Sequence, residues 1–284
     1  MSGSTSSKSV RVLSAAPRCA LAESPRWSEE GWWWVDVEVG DIWNLARSSL
    51  PRGQPSAVRA FTFGRRVSYV QPLQKSGLLL AVGADIVELG RHQGGARKRA
   101  SIPVMTGEVL NDGALHADGT LVIGSVGPNR RADGWLWSVS ARGRVTRIAG
   151  PFSMSNGMTW SSGEMLLHAD SGTRTIWAHT FRDGSIRRSE EFAKFEERDG
   201  MPDGICGDGF GGVWVAMYGA GVVHHLDSAG RRQGTIEVGT AQVTSVARGG
   251  DGGHTLLITT AREGAPDHSD VDPLAGRLFH VDVV

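Results

Sequence analysis

Four short segments carry side-chain oxygens in settings that could do chemistry: LAESPRW with Glu23, VLNDGALHADG with Asn111, MSNGMTW with Asn156 and MPDGICGDG with Asp203. Taken singly, NDG, SNG and PDG are turn tripeptides, and a glycine-marked loop is their plainest reading. Taken together, they stand at like positions in an internal repeat, just upstream of the first strand of their units. Rotational repetition would aim all four at one axial point. Two carboxylates neutralise a dication, and two amide oxygens add ligation without further charge. Hard oxygen donors suit Ca²⁺, Mg²⁺ or Mn²⁺ better than they suit a zinc site built on His or Cys. Four protein ligands fall short of a full Ca²⁺ shell, which leaves positions for water or substrate.

Other chemistries find no support. The chain has no HExxH, no Walker loop, no GxSxG elbow and no EF-hand loop. Adjacent His224 and His225 fall in an expected strand, where neighbouring side chains point to opposite faces and cannot grip one ion. His116, His168, His179 and His254 show no ligand spacing and read as structural or surface residues. The run GDGFGG from Gly207 lies between strands, with no helix to offer phosphate a positive dipole, so it reads as a hairpin turn.

The elements that must position these residues show in the repeat. A polar turn, a Trp/Leu/Val-rich run and a second run recur six times, from WSEEGWWWVDVEVGDIWNL to ARGGDGGHTLLITTA. The turn glycines Gly31, Gly77, Gly119, Gly163, Gly212 and Gly253 fall 41 to 49 residues apart, the period of a four-stranded propeller blade. Runs such as GLLLAVG and VWVAMY are apolar on both faces, as expected of strands packed between neighbouring blades. Ser185 to Asp199 has too sparse an apolar pattern for a helical stripe and reads as an outer strand followed by a loop. The expected fold is therefore all-β: a six-bladed β-propeller with four antiparallel strands per blade. Residues 1–10 read as a disordered Ser-rich tail and 11–284 as one domain. The basic patch RHQGGARKRA from Arg91 reads as a solvated hairpin end.

Composition narrows the partners. Thirty Lys and Arg balance thirty Asp and Glu, which argues against nucleic acid or an anionic membrane as the main partner. No apolar run is long enough to cross a bilayer, and the polar N-terminus lacks a secretory signal. Two cysteines, Cys19 and Cys206, make neither a disulfide framework nor a thiolate metal site. The expectation is a cytoplasmic protein acting on a small molecule, its oligomeric state left open.

The ordered set of motifs resembles the senescence marker protein/gluconolactonase/regucalcin family. ESPRW with WVDV, NDG with ADG, SNGMTWS with ADS, and PDG with GGVWVA follow its pattern, and so does the closing VTSVARGGDGGHTLLITTA. The similarity runs from about Ala20 through nearly the whole chain. It implies a six-bladed propeller with one divalent ion at its mouth, Ca²⁺ first, with Mn²⁺, Mg²⁺ or Zn²⁺ as the other candidates. By the same resemblance Glu23, Asn156 and Asp203 are the metal ligands, Asn111 contacts substrate, and the usual activity is hydrolysis of a lactone ring. Asp203 and Asn111 are then the catalytic candidates, Asp203 taking a proton from the attacking water. Whether that proton goes to Asp203 or the ion itself generates the nucleophile stays open.

Two departures bear on substrate. Members acting on sugar lactones place an Arg where this chain has Val109, and tend to carry an acidic residue near Asn129. Replacing Arg by Val removes five donors and leaves an apolar wall, so the expected substrate is less polar than a sugar lactone. Met154, Met158, Met217 and Tyr218 lie near the motif segments and are candidates for lining such a pocket or for filling gaps between blades. Two further readings share the quartet: a non-catalytic propeller binding metal and a small molecule, and a biosynthetic enzyme rearranging a natural product.

Overall fold

The computed structural model describes residues 9–47, 56–73, 77–90, 95–262 and 272–283. They form six four-stranded antiparallel sheets. Blade 1 comprises Ala22–Ser28, Gly31–Asp36, Asp41–Ala46 and Val58–Thr62, and blade 2 Val67–Leu73, Gly77–Val82, Asp85–Leu89 and Ala96–Ser101. Blade 3 comprises Val109–Leu115, Leu121–Val126, Gly134–Val139 and Val145–Phe152. Blade 4 follows with Ser155–Ser162, Met165–Asp170, Thr175–Arg182 and Ser185–Lys194, and blade 5 with Met201–Gly207, Val213–Tyr218, Val222–Leu226 and Arg232–Glu237. Blade 6 takes three strands from the C-terminal part, Val243–Gly249, Thr255–Thr260 and Phe279–Asp282. Its outermost strand is Arg11–Val12, which pairs with His280 and Phe279. The protein is a six-bladed β-propeller.

The apolar runs make strands because both sides of each blade are covered. The buried hydrophobic residues fall into six clusters, and each joins two neighbouring blades. Val35 and Ile42 pack on Val70 and Leu80 between blades 1 and 2, while Trp32 and Trp34 meet Ala247 and Leu257 between blades 1 and 6. The core is thus a ring of interfaces, and it leaves the axis for polar residues.

Two peripheral expectations meet the structure differently. Ser185–Lys194 is the outer strand of blade 4, followed by a 3-10 turn at Glu197–Asp199. The basic patch is not a hairpin end throughout. Residues 91–94 lie outside the described residues, and Ala96–Ser101 is the outer strand of blade 2. Its charge suits a sheet edge facing water, where Lys and Arg discourage pairing with other chains, and Arg99 Nε bonds Glu88 at 2.6 Å. Residues 1–8 of the expected tail also lie outside the described residues. Among those described, no helix is long and apolar enough to cross a membrane.

The histidines of blades 4 and 5 are structural. His224 stacks on Phe195 and His225 on Trp214, on opposite faces of their strand. Across blade 4 a hydrogen-bonded row takes one residue from each strand. Ser155 Oγ meets His168 Nε2 at 2.8 Å, His168 Nδ1 meets His179 Nε2 at 3.3 Å, and His179 Nδ1 meets Ser189 Oγ at 2.8 Å. Burial pushes His179 down to about 4 and, with the charge of His179, holds His168 well below the usual 6.5. Both rings are therefore neutral at pH 7.

In the unfolded chain these histidines take up protons near pH 6.5, whereas the folded His179 does not until about pH 4. Their contribution to stability is complete above pH 6.5 and is lost as pH falls towards 4. Urea unfolding across that window is expected to show the acid-side loss of stability shrinking in the double variant His168→Gln, His179→Gln. Equal slopes in the two proteins would contradict this origin.

Candidate active site

The first strand of every blade breaks register with the second at one equivalent point, where it carries an extra residue. The break falls between Glu23 and Arg26 in blade 1, between Val67 and Tyr69 in blade 2, and between Leu110 and Gly113 in blade 3. It lies between Ser155 and Met158 in blade 4, Pro202 and Ile205 in blade 5, and Val243 and Ser245 in blade 6. Asn111, Asn156 and Asp203 occupy these bulges and Glu23 borders its own, so one backbone device re-aims four side chains. The segments NDG, SNG and PDG are thus not turns upstream of the inner strands, as their composition suggests. They lie within those strands. Their glycines answer to crowding: a Cβ at Gly157 would collide with the backbone oxygen of Asp203, and one at Gly204 with the Ser245 hydroxyl.

Glu23, Asn111, Asn156 and Asp203 line one cavity of about 400 Å³, together with Val109 and Tyr218. Two expected lining residues are elsewhere. Met158 is buried between blades 3 and 4 against Leu136, Leu166 and Phe181, because the residue after the bulge turns onto the blade face. Asn129 is exposed in the loop after Val126, its N–H donated to Asp133 Oδ2 at 3.0 Å, while its neighbours Pro128 and Arg130 reach the cavity. Met154 lines the cavity and Met217 is fully buried. The sequence reading missed Glu38, Arg66, Arg130, Ser171 and Met201, which also line it. Arg66 had one available signal, its place immediately before the first strand of blade 2.

The side chains around the axis are held from behind. Asn111 Nδ2 donates to Ser155 O at 3.0 Å, and Asn156 Nδ2 donates to Ser171 Oγ at 3.2 Å. Ser171 Oγ in turn donates to Pro202 O at 2.6 Å. Each amide is thus anchored through its nitrogen, with its oxygen left for a ligand. Beneath the site, Arg26 from blade 1 reaches Asp112 Oδ1 at 3.1 Å and Gly113 O at 3.2 Å, its guanidinium 5.2 Å from the Tyr69 ring centroid.

Both axial carboxyls resist ionisation in the protein alone. Burial first, and then the charge of Asp112, push Glu23 up to about 8, against the Ser24 N–H, Arg26 and Arg66. Burial, Glu23 and Asp112 raise Asp203 well above the usual carboxylate range, against the Asn156 amide and the Gly204 N–H. Asp203 Oδ1 is buried and accepts no hydrogen bond. A buried carboxyl with an orphaned oxygen, Asp203, and a partly buried one short of counter-charge, Glu23, form a donor set that fits a hard divalent cation. Among the described residues no group of three or more His, Cys, Asp or Glu side chains could hold a metal.

Fold and site together define a six-bladed propeller with an oxygen-lined axial cavity. The chain matches the family described as SMP-30/Gluconolactonase/LRE-like region over residues 21–262, and it belongs to that family. It is 29% identical over 279 residues to pentonolactonase XacC of Haloferax volcanii, covering 93% of this chain and 91% of that protein. It is 26% identical over 290 residues to regucalcin of Homo sapiens, covering 96% and 94%. Among solved structures, a calcium-binding protein, regucalcin, from Agrobacterium tumefaciens superposes with a TM-score of 0.85 at 24% identity, covering 98% of this chain and 96% of that one. The latter likeness shows the fold.

Proposed function

We propose that the protein hydrolyses a lactone or related cyclic ester with the help of one divalent cation, Ca²⁺ being the first candidate. The observation that carries this reading is Asp203 Oδ1, a buried oxygen without a donor in a cavity shared with a second, partly buried carboxyl, Glu23. Family membership and the lactonase relative support it. Glu23, Asn156 and Asp203 would hold the ion. When bound it supplies Lewis-acid polarisation of the ester carbonyl and stabilises both carboxylates as anions.

The residues of the chain do the rest. Asn111, fixed through its nitrogen, presents its amide oxygen and a second N–H to orient the ring. Asp203, holding the ion through one carboxylate oxygen, accepts with the other a proton from the attacking water as the water oxygen bonds to the carbonyl carbon. The ring C–O bond then breaks, and that proton passes to the departing alkoxide. The apolar wall of Val109, Val126 and Met154 takes the hydrocarbon part of the substrate and excludes water from it.

The test is a panel of aliphatic, aryl and sugar lactones, followed by acid release with Ca²⁺, Mn²⁺ or Zn²⁺ and with chelator. Ring opening that chelator abolishes and added ion restores is the expected result. Inactivity across the panel, with ion binding retained, would replace hydrolysis by ligand binding. Product formed without uptake of water would replace it by rearrangement.

A further inference from the structure

The cavity wall carries charges that ring opening does not use. Glu38, Arg66 and Arg130 line it beside the axial carboxyls. Arg66 is occupied, its Nη1 ion-paired with Glu38. Arg130 is not: among the described residues its guanidinium has no hydrogen-bond or ion-pair partner.

The loop that holds Arg130 is constructed rather than slack. Asp133 accepts the N–H of Asn129 at 3.0 Å and that of Arg131 at 3.3 Å. Arg130 itself donates its N–H to Gly127 O at 3.2 Å and accepts the Ser153 hydroxyl at 2.9 Å. Its φ of 52° is left-handed, a conformation that costs a non-glycine residue about 1 kcal/mol. Two side chains, Asp133 and Ser153, and a left-handed backbone therefore fix the base of an arginine at the cavity whose head binds nothing among the described residues.

From this we infer that the substrate is a lactone or cyclic ester bearing a carboxylate, and that Arg130 takes the carboxylate. The inference rests on the hydrolase reading above and names its substrate class. A guanidinium offers a planar fork that matches a carboxylate with two parallel hydrogen bonds. The charge count agrees. With a dication bound, the carboxylates of Glu23, Glu38 and Asp203 face two guanidiniums and the ion, which leaves the wall with one positive charge. A monoanionic substrate cancels it, whereas a phosphate ester near its dianionic form at pH 7 would overshoot. The wall of Val109, Val126 and Met154 accepts an apolar ring between the two polar ends. The cavity volume of about 400 Å³ suits a small molecule. The expectation from Val109 alone, a substrate simply less polar, becomes one with an apolar middle and an anionic end.

The experiment compares γ-butyrolactone with its ring-carboxylated counterpart, 5-oxotetrahydrofuran-2-carboxylate, on the ion-loaded protein and on Arg130→Gln and Arg130→Lys. The wild type is expected to favour the carboxylated lactone in kcat/KM by about tenfold or more, mostly through KM, as loss of a charge-assisted hydrogen bond implies. The ratio should collapse in Arg130→Gln and return in part in Arg130→Lys, which keeps the charge and loses the fork. No preference in the wild type, or a ratio unchanged in Arg130→Gln, overturns the inference and leaves hydrolysis standing. A second arm measures binding of the unreactive lactam isostere, 5-oxopyrrolidine-2-carboxylate, against 2-pyrrolidinone by titration calorimetry. Arg130-dependent binding of the carboxylated lactam with no lactone opened would keep the carboxylate site at Arg130 and sink hydrolysis. Equal binding of the two lactams overturns it.

Discussion

Asp203→Asn is expected to lower lactone turnover by about 10³-fold, the middle of the range for a lost proton acceptor, while the propeller stays folded. The substitution keeps the size of the side chain and removes its charge. It takes away the oxygen that accepts no hydrogen bond in the buried site, and with it one of the two anions that answer a divalent ion. The first loss acts on kcat, because the proton is in flight only as water adds to the carbonyl, and the second acts on ion affinity. Acid release against lactone concentration, with circular dichroism to verify folding and calorimetry of Ca²⁺ binding, separates the two. Weakened ion affinity with normal kcat at saturating Ca²⁺ would assign Asp203 to ligation alone. Turnover within about tenfold of wild type would remove it from the chemistry. Glu23→Gln is the companion, expected to weaken Ca²⁺ binding comparably without removing the proton acceptor.

Arg26→Met is expected to cost about 3 kcal/mol of folding stability, the lower end for a buried ion pair broken on one side. Asp112, whose side chain is 5% exposed, would then hold a charge with no cation beside it. Burial already raises its pKa, and the Arg26 guanidinium is the strongest influence opposing that rise. The loss would reach the site above, because the charge of Asp112 pushes both Glu23 and Asp203 upward. Urea unfolding provides the measurement, and Asp112→Asn in the Arg26→Met background is expected to recover most of the loss. A single-variant cost below about 1 kcal/mol would mean that solvent already screens the pair.

The repeat was legible because it is written in residue types that strands and turns need. Six glycine-marked turns at blade spacing announce six sheets, and apolar runs such as Gly77–Val82 announce that both faces are covered. Convergence of Glu23, Asn111, Asn156 and Asp203 on one cavity could be read from their equivalent places in that repeat. How they are aimed could not. A bulge is a mismatch between two strands, and neither strand records it alone, so NDG and PDG looked like turns. Met158 shows the same limit: two residues beyond Asn156, it faces the blade interface because the bulge reverses the alternation. Arg130 was invisible for another reason. Its approach to the cavity depends on the Asp133 carboxylate and a left-handed backbone, in a loop whose sequence reads only as polar and exposed.

The two-residue strand Arg11–Val12 has a consequence for handling the protein. It is the clasp that joins the two ends of the chain, and beyond its pairing with Phe279 and His280 it adds an ion pair at 2.8 Å between Arg11 and Asp282. Trimming the chain past Val12 would leave the blade 1 to blade 6 packing in place but bare Phe279–Asp282 as an unpaired edge, able to recruit a strand from a second molecule. Leu21 and Glu23 of the cavity follow this strand by about ten residues, so its loss would be felt close to the site.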